Sequence, residues 1–301
     1  MEKDIMNEPL LKERSYVRSM SAGIRLPLRH PWGFLRHLWP LLVLSIVLWA
    51  VASAWLAPHL WSLREVAFTP GIVPSDILCN AFWQVSAWGL FGILLLGILV
   101  GQVGYLMSRY AELTYLPAVQ PWKLWRDIIP CVLRGIMTTV LWYALSLAFV
   151  ILSLFVMPSR MWALVLAVCL VVLWTFILVC IGQQYVMGQR SLLASMAWPF
   201  MNLSRIGASS AIVVVCGLLV VAVIAIGCIP AISTIFVGGL SDNAAMIGDE
   251  TDLPSNFGLL RAISFGMAAL VANMAWPFVL VPLAFSWGSQ EAEHLDETPQ
   301  S

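Results

Sequence analysis

Six stretches of this chain run for roughly 20 residues or more without a single charge, the length a helix needs to cross a bilayer core. They cover residues 38–56, 85–107, 135–157, 161–187, 208–240 and 262–287. Lipid offers no hydrogen bonds to an open backbone, so such stretches must satisfy their own in helices or in a closed barrel. Barrel strands are short and alternate polar with apolar residues. These stretches are long and do not alternate, so the expected fold is an all-α membrane protein with six transmembrane helices. Composition agrees, because a chain that is 60% hydrophobic and 11% charged has too few charges to cover a water-soluble domain.

The 16 basic and 16 acidic residues cancel overall but are unevenly placed. Seven Lys and Arg precede the first apolar stretch, and four more lie between the second and third (Arg109, Lys123, Arg126, Arg134). Arg190 and Arg205 separate the fourth from the fifth, whereas Arg64, Arg160 and Arg261 stand alone in the alternate connections. One set of segments therefore holds thirteen basic residues and the other three. The positive-inside rule puts both termini in the cytoplasm, in a cell (cytoplasmic or inner) membrane. Residues 241–256, which are acidic, then face outward. Residues 41–51 followed by Ala52-Ser53-Ala54 have the outline of a signal peptide. A signal's charged leader is normally short, and the long segment ahead of this stretch favours a retained first span.

The chain carries an internal repeat. PWGFLRHLWP (residues 31–40) and PWKLWRDIIP (residues 121–130) share Pro-Trp, an Arg and a closing Pro at equal spacing. The spans completing these units end alike, in GQVGYLMSR (101–109) and GQQYVMGQR (182–190). A fainter third copy begins at AWPFMNLSR (197–205) and ends at WGSQ (287–290). This period indicates duplication. The spans are thus expected as three tandem hairpins, in units of about 29–109, 119–190 and 197–290. Each is led by an amphipathic elbow helix lying in the membrane interface. Trp32, Trp39, Trp122, Trp125 and Trp198 suit headgroup depth, and Arg36 and Arg126 can reach lipid phosphate. Pro40 and Pro130 are expected to separate each elbow from its span. Residues 1–28 read as a flexible basic segment, 29–288 as one membrane domain, and 289–301 as an acidic disordered tail.

This architecture, carried by the two Pro-Trp elements and the Gly-Gln endings, resembles uncharacterised small bacterial six-helix integral-membrane proteins. Those are similar to the membrane domain attached to some glycerophosphodiester phosphodiesterases. No diesterase domain accompanies it in this sequence, so the resemblance carries over no catalytic residue and implies no activity.

Chemistry-bearing residues are sparse. No Asp, Glu, Lys or His lies at a span centre, which argues against a proton-coupled pump. The six Cys form no C-x-x-C or Cys/His metal pattern. His30, His37 and Asp127 can approach one another only at the interface, where pairing with lipid phosphate accounts for them. Phosphate-cradling glycine loops and nucleic-acid signatures are lacking, and no cofactor is implied. What remains is amides: Gln102, Gln183 and Gln184 near cytoplasmic ends, and Asn273 deeper in the sixth span. They suit interhelical hydrogen bonding, or contact with a solute. Pro230, Pro277 and Pro282 are expected helix breaks, and residues 231–240 either extend a kinked fifth span or re-enter partially. The pentapeptide MAWPF, at 196–200 and 274–278, falls at non-equivalent repeat positions and reads as coincidence.

The functional expectation is a structural, assembly or regulatory membrane component without a catalytic site. Its partners would be anionic head groups at the cytoplasmic face, and other membrane proteins or a second copy. The alternative is a small permease or exporter of an apolar or zwitterionic solute, with a lipid-head-group enzyme behind it.

Overall fold

A computed structural model describes residues 9–68, 75–113, 121–157, 160–247 and 253–297. Among these residues the chain is helical and contains no strand. Its elements are α1 (Tyr16–Arg29), α2 (Pro31–Phe68), α3 (Ser75–Leu113), α4 (Pro121–Val156) and α5 (Arg160–Gly182), then a π-helical segment (Gln183–Met187). After it come α6 (Leu192–Met201), α7 (Leu203–Ile247), α8 (Phe257–Ala275) and α9 (Pro277–Glu297). Proline opens α2, α4 and α9, where its missing N–H has no intrahelical partner to lose.

Five stretches of the described residues are long and apolar enough to cross a membrane: Gly89–Ala111, Ile128–Ser153, Trp162–Met187, Ser209–Ser241 and Phe257–Glu293. The expected first span shows only Leu42–Ala52 as a shorter apolar helix; the side chains after it lie outside the described residues. The third and fourth of these spanning stretches bury little of themselves. Leu164, Leu173, Leu218 and Ile226 are all more than half exposed. Water would not tolerate so continuous an apolar surface, whereas hydrocarbon is its natural solvent.

Several expected boundaries move. α2 passes Pro40, and α4 passes Pro130, without interruption, so neither Pro-Trp element forms a separate elbow. α7 likewise continues through Pro230 as one helix to Ile247, and α9 through Pro282. Proline is tolerated inside membrane helices because neighbours and local adjustment satisfy the freed carbonyl. The expected breaks at Pro230 and Pro282 are therefore corrected, and residues 231–240 belong to α7. Pro277 does divide α8 from α9: Trp276 is non-helical, and its carbonyl accepts from Val279 N at 2.9 Å and Leu280 N at 3.1 Å. Of the three expected copies, the third shows a separate short helix among the described residues: α6 ends at Met201 and is capped by Asn202, before α7. The first MAWPF thus lies in α6 and the second spans the α8–α9 junction. Residues 16–28, expected to be flexible, belong to α1, and residues 289–297, expected to be disordered, belong to α9.

The chain forms two compact units. The first comprises residues 1–38, 93–219 and 276–301, and the second 39–92 and 220–275. In the first, α1 lies along α9 with Ser19, Ala22, Gly23, Leu26 and Pro27 inward. Gly23 meets the Pro282 backbone so closely that a Cβ there would collide with it. Leu26, Phe34, Val103, Met107, Tyr110, Val281 and Phe285 share the adjoining apolar core. α3 and α4 cross on bare backbone: a Cβ on Gly135 would strike Gly97 O and Gly101 N. This small-residue crossing is a common way for helices to associate in lipid, where van der Waals contact replaces the hydrophobic effect. On α4 and α5, Trp142 Nε1 donates to Thr175 Oγ1 at 2.9 Å. In the second unit, Ala231, Phe265 and Ala268 pack with Trp49, Cys228 and Ile235. There Trp49 also meets Phe91 edge-on at 5.2 Å between ring centroids.

Candidate functional site

The second Gly-Gln ending has an unusual backbone. Past Gly182 the helix widens into the π segment, where Gly188 N donates to Gln183 O at 3.2 Å, a five-residue step. The segment ends at Met187; beyond its Gly188 cap, Gln189 has a left-handed φ of 49°, and Arg190 N turns back to donate to Gln184 O at 3.3 Å. Ser191 then caps α6, its Oγ accepting from Ala194 N at 3.3 Å. π segments are rare and occur frequently at functional sites. Tyr-x-Met is common to both endings, but one residue separates Met107 from Arg109 and two separate Met187 from Arg190. Both endings run nine residues from Gly to Arg; the first stays α-helical through Leu113, whereas the second widens and turns.

The widened turn directs Gln183 inward, where it is 4% exposed. Its Nε2 donates to Leu283 O of α9 at 2.8 Å, and its Oε1 accepts from Ser209 Oγ of α7 at 3.2 Å. Ser209 Oγ in turn accepts from Gln290 Nε2 of α9 at 3.4 Å. One turn away, Arg190 Nη2 reaches both carboxylate oxygens of Glu291, at 2.9 and 3.1 Å. Arg134 of α4 donates from Nη1 to Tyr185 O at 3.2 Å and places its guanidinium 5.4 Å from the Tyr185 ring centroid. At the N-terminal side, Arg14 N donates to Ser289 Oγ at 2.7 Å, and Ser289 Oγ donates back to Arg14 O at 3.0 Å. Arg14 also lies over the Phe285 ring at 5.3 Å. Residues 283–291 of α9 therefore bind the π segment, α7, the turn before α6 and the strap preceding α1.

This constellation is built from neutral amides, hydroxyls, one ion pair and two arginines, Arg14 and Arg134, each set over an aromatic ring. Amides and hydroxyls of this kind neither take up nor release protons near neutrality, so the cluster is suited to joining helices and to hydrogen-bonding a polar group. Gln184 differs from its neighbour. It is 1% exposed, and its Oε1 has no hydrogen-bond partner. A buried acceptor left bare is costly, and such exceptions are found where strain, water or function requires them.

The expected site residues are thus only partly assembled. Gln183 joins the network and Gln184 sits beside it, while Gln102 is buried on α3 outside that chain of bonds. The two endings do approach one another, since a Cβ on Gly104 would strike Val186 Cγ1. Asn273 belongs to the other unit, where its Nδ2 donates to Ser45 Oγ at 2.8 Å and to Ala269 O at 2.7 Å. Trp32, Trp39, Arg36 and Arg126 are exposed, and Trp198 is half-buried on α6. The side chains of Trp122 and Trp125, and of His37 and Asp127 from the interfacial cluster, lie outside the described residues. Sequence reading missed Ser209, Gln290, Ser45 and the Arg190–Glu291 pair. It also missed the crossing glycines, although GILVG (residues 97–101) is a legible small-x3-small signal.

Comparisons with protein-family models, with curated proteins and with solved structures find no match for this chain.

Proposed function

We propose that this chain is a polytopic, non-catalytic membrane component with a structural, assembly or regulatory role. In this reading six spans form three tandem hairpins with both termini in the cytoplasm. Its partners are lipid and other membrane proteins or a second copy. Likeness to the membrane domain attached to some glycerophosphodiester phosphodiesterases is part of the proposal and brings no activity with it. The observation that carries the reading is the use made of two amides inside the apolar stretches, Gln183 and Asn273. Gln183 spends both ends of its side chain on other helices, and Asn273 spends its amide N–H groups on Ser45 and its own helix. Groups committed in this way hold helices together and leave little for a passing solute.

Co-purification of the full chain in mild detergent tests it. A stoichiometric protein partner, or a defined homo-oligomer, is expected. Proteoliposomes loaded against glycine betaine, a zwitterionic probe, should swell no faster than protein-free vesicles; rapid swelling would overturn the assignment.

One observation favours a small permease as the second reading: the bare Oε1 of Gln184 within a π segment. Under that reading Gln184→Leu abolishes betaine swelling and leaves thermal stability unchanged. Under the structural reading there is no swelling to abolish.

A further inference from the structure

We infer that α1, together with the first turns of α2, forms a docking surface for anionic lipid head groups. This rests on the membrane reading above and assigns its lipid contact to a definite surface. α1 has two usable faces. Its inner face, made of Ser19, Ala22, Gly23, Leu26 and Pro27, lies along α9 with Gly23 against Pro282. Its outer face exposes Arg18, Arg25 and Arg29, spaced seven and four residues apart and so stacked along one side of the helix. The stripe continues in chain order with Arg36, which is exposed on the opposite side of α2 from buried Phe34 and Leu38.

Two features identify the occupant. The first is charge. Residues 16–36 contain four arginines and no acidic residue, and none of the four is in an ion pair among the described residues. The second is the apolar company the arginines keep. Val17 is 50% exposed, Leu28 62% and Trp32 80%, on the outer faces of the same two helices. A purely aqueous polyanion would satisfy the arginines and leave these apolar groups in water. A head-group layer satisfies both, because phosphate meets guanidinium while the arginine stems, Leu28 and the Trp32 ring enter the acyl boundary. Anchoring α1 to α9 holds the stripe in place before lipid arrives, so binding costs little ordering.

Native mass spectrometry of the full detergent-solubilised chain, titrated with phosphatidylglycerol or phosphatidylcholine, tests the inference. The first lipid bound should favour phosphatidylglycerol by about fivefold, the value of one basic contact at a membrane surface. Arg18→Gln/Arg25→Gln/Arg29→Gln should bring the two lipids to parity. The triple lysine variant should retain the preference. In vesicles that keep the wild-type chain inserted, raising salt to about 0.5 M should weaken enrichment of phosphatidylglycerol, a readout independent of any variant's folding. No preference in the wild type overturns the inference, as does a preference the glutamine variant keeps; both leave the membrane reading standing. A chain that stays dispersed without detergent overturns the membrane reading first.

Discussion

Replacing Gln183 by leucine removes an amide that joins three helical elements while keeping nearly the same bulk. Two direct bonds are lost, to Leu283 O and from Ser209 Oγ. Interhelical hydrogen bonds in membranes average about 0.6 kcal/mol and reach about 1.7 kcal/mol, so two bonds amount to about 1–3 kcal/mol. Ser209 is fully buried and loses its acceptor, which places the expected loss in the upper part of that range. Leucine's favourable burial offsets some of it. Gln102→Leu is the matched control: Gln102 opens the first Gly-Gln ending as Gln183 opens the second, yet it stands outside the chain of bonds. It should cost less than half as much. Unfolding by dodecyl sulfate in mixed micelles, followed by tryptophan fluorescence, measures both in a chain with 15 Trp. Ser209→Ala should be strongly non-additive with Gln183→Leu, since the two share one bond. Equal costs at Gln102 and Gln183, or additive costs at Gln183 and Ser209, would refute the reasoning.

Other consequences are smaller or simpler. Gly135→Leu forces α3 and α4 apart at Gly97 and Gly101, and should lower stability by about 1–3 kcal/mol or lower the yield of folded chain in mild detergent. Arg190 and Glu291 are 33% and 23% exposed, so breaking their pair should cost no more than about 1 kcal/mol, fading as salt is raised. The swapped variant Arg190→Glu/Glu291→Arg should regain part of that loss in the same unfolding assay. Gly23→Leu should detach α1 from Pro282 and open the Pro9–Ser15 strap to proteolysis, whereas Ser21→Leu, off the buried face of α1, should not.

The membrane-spanning character was legible in the sequence because hydrocarbon length and absence of charge act locally. Gln183 was legible for a similar reason, as an amide in apolar surroundings must find a partner. The partners themselves were not. Leu283 contributes a backbone carbonyl, which every residue owns, and Ser209 is one small residue in a run of them. The Arg190–Glu291 pair joins residues 101 positions apart and depends on a left-handed Gln189 that composition does not announce. Proline misled the reading because its effect depends on surroundings. Pro277 interrupts a helix, while Pro130, Pro230 and Pro282 are carried inside helices of the same chain. α1 escaped notice because Gly23 and Pro27 are poor helix formers; both sit on the face that α9 covers.

Topology is the most direct test of the account. In a cysteine-free background, Asn256→Cys should react with a membrane-impermeant maleimide added to intact cells, and Arg126→Cys should react only after permeabilisation. The reverse pattern, or equal labelling of both, would contradict six spans with cytoplasmic termini.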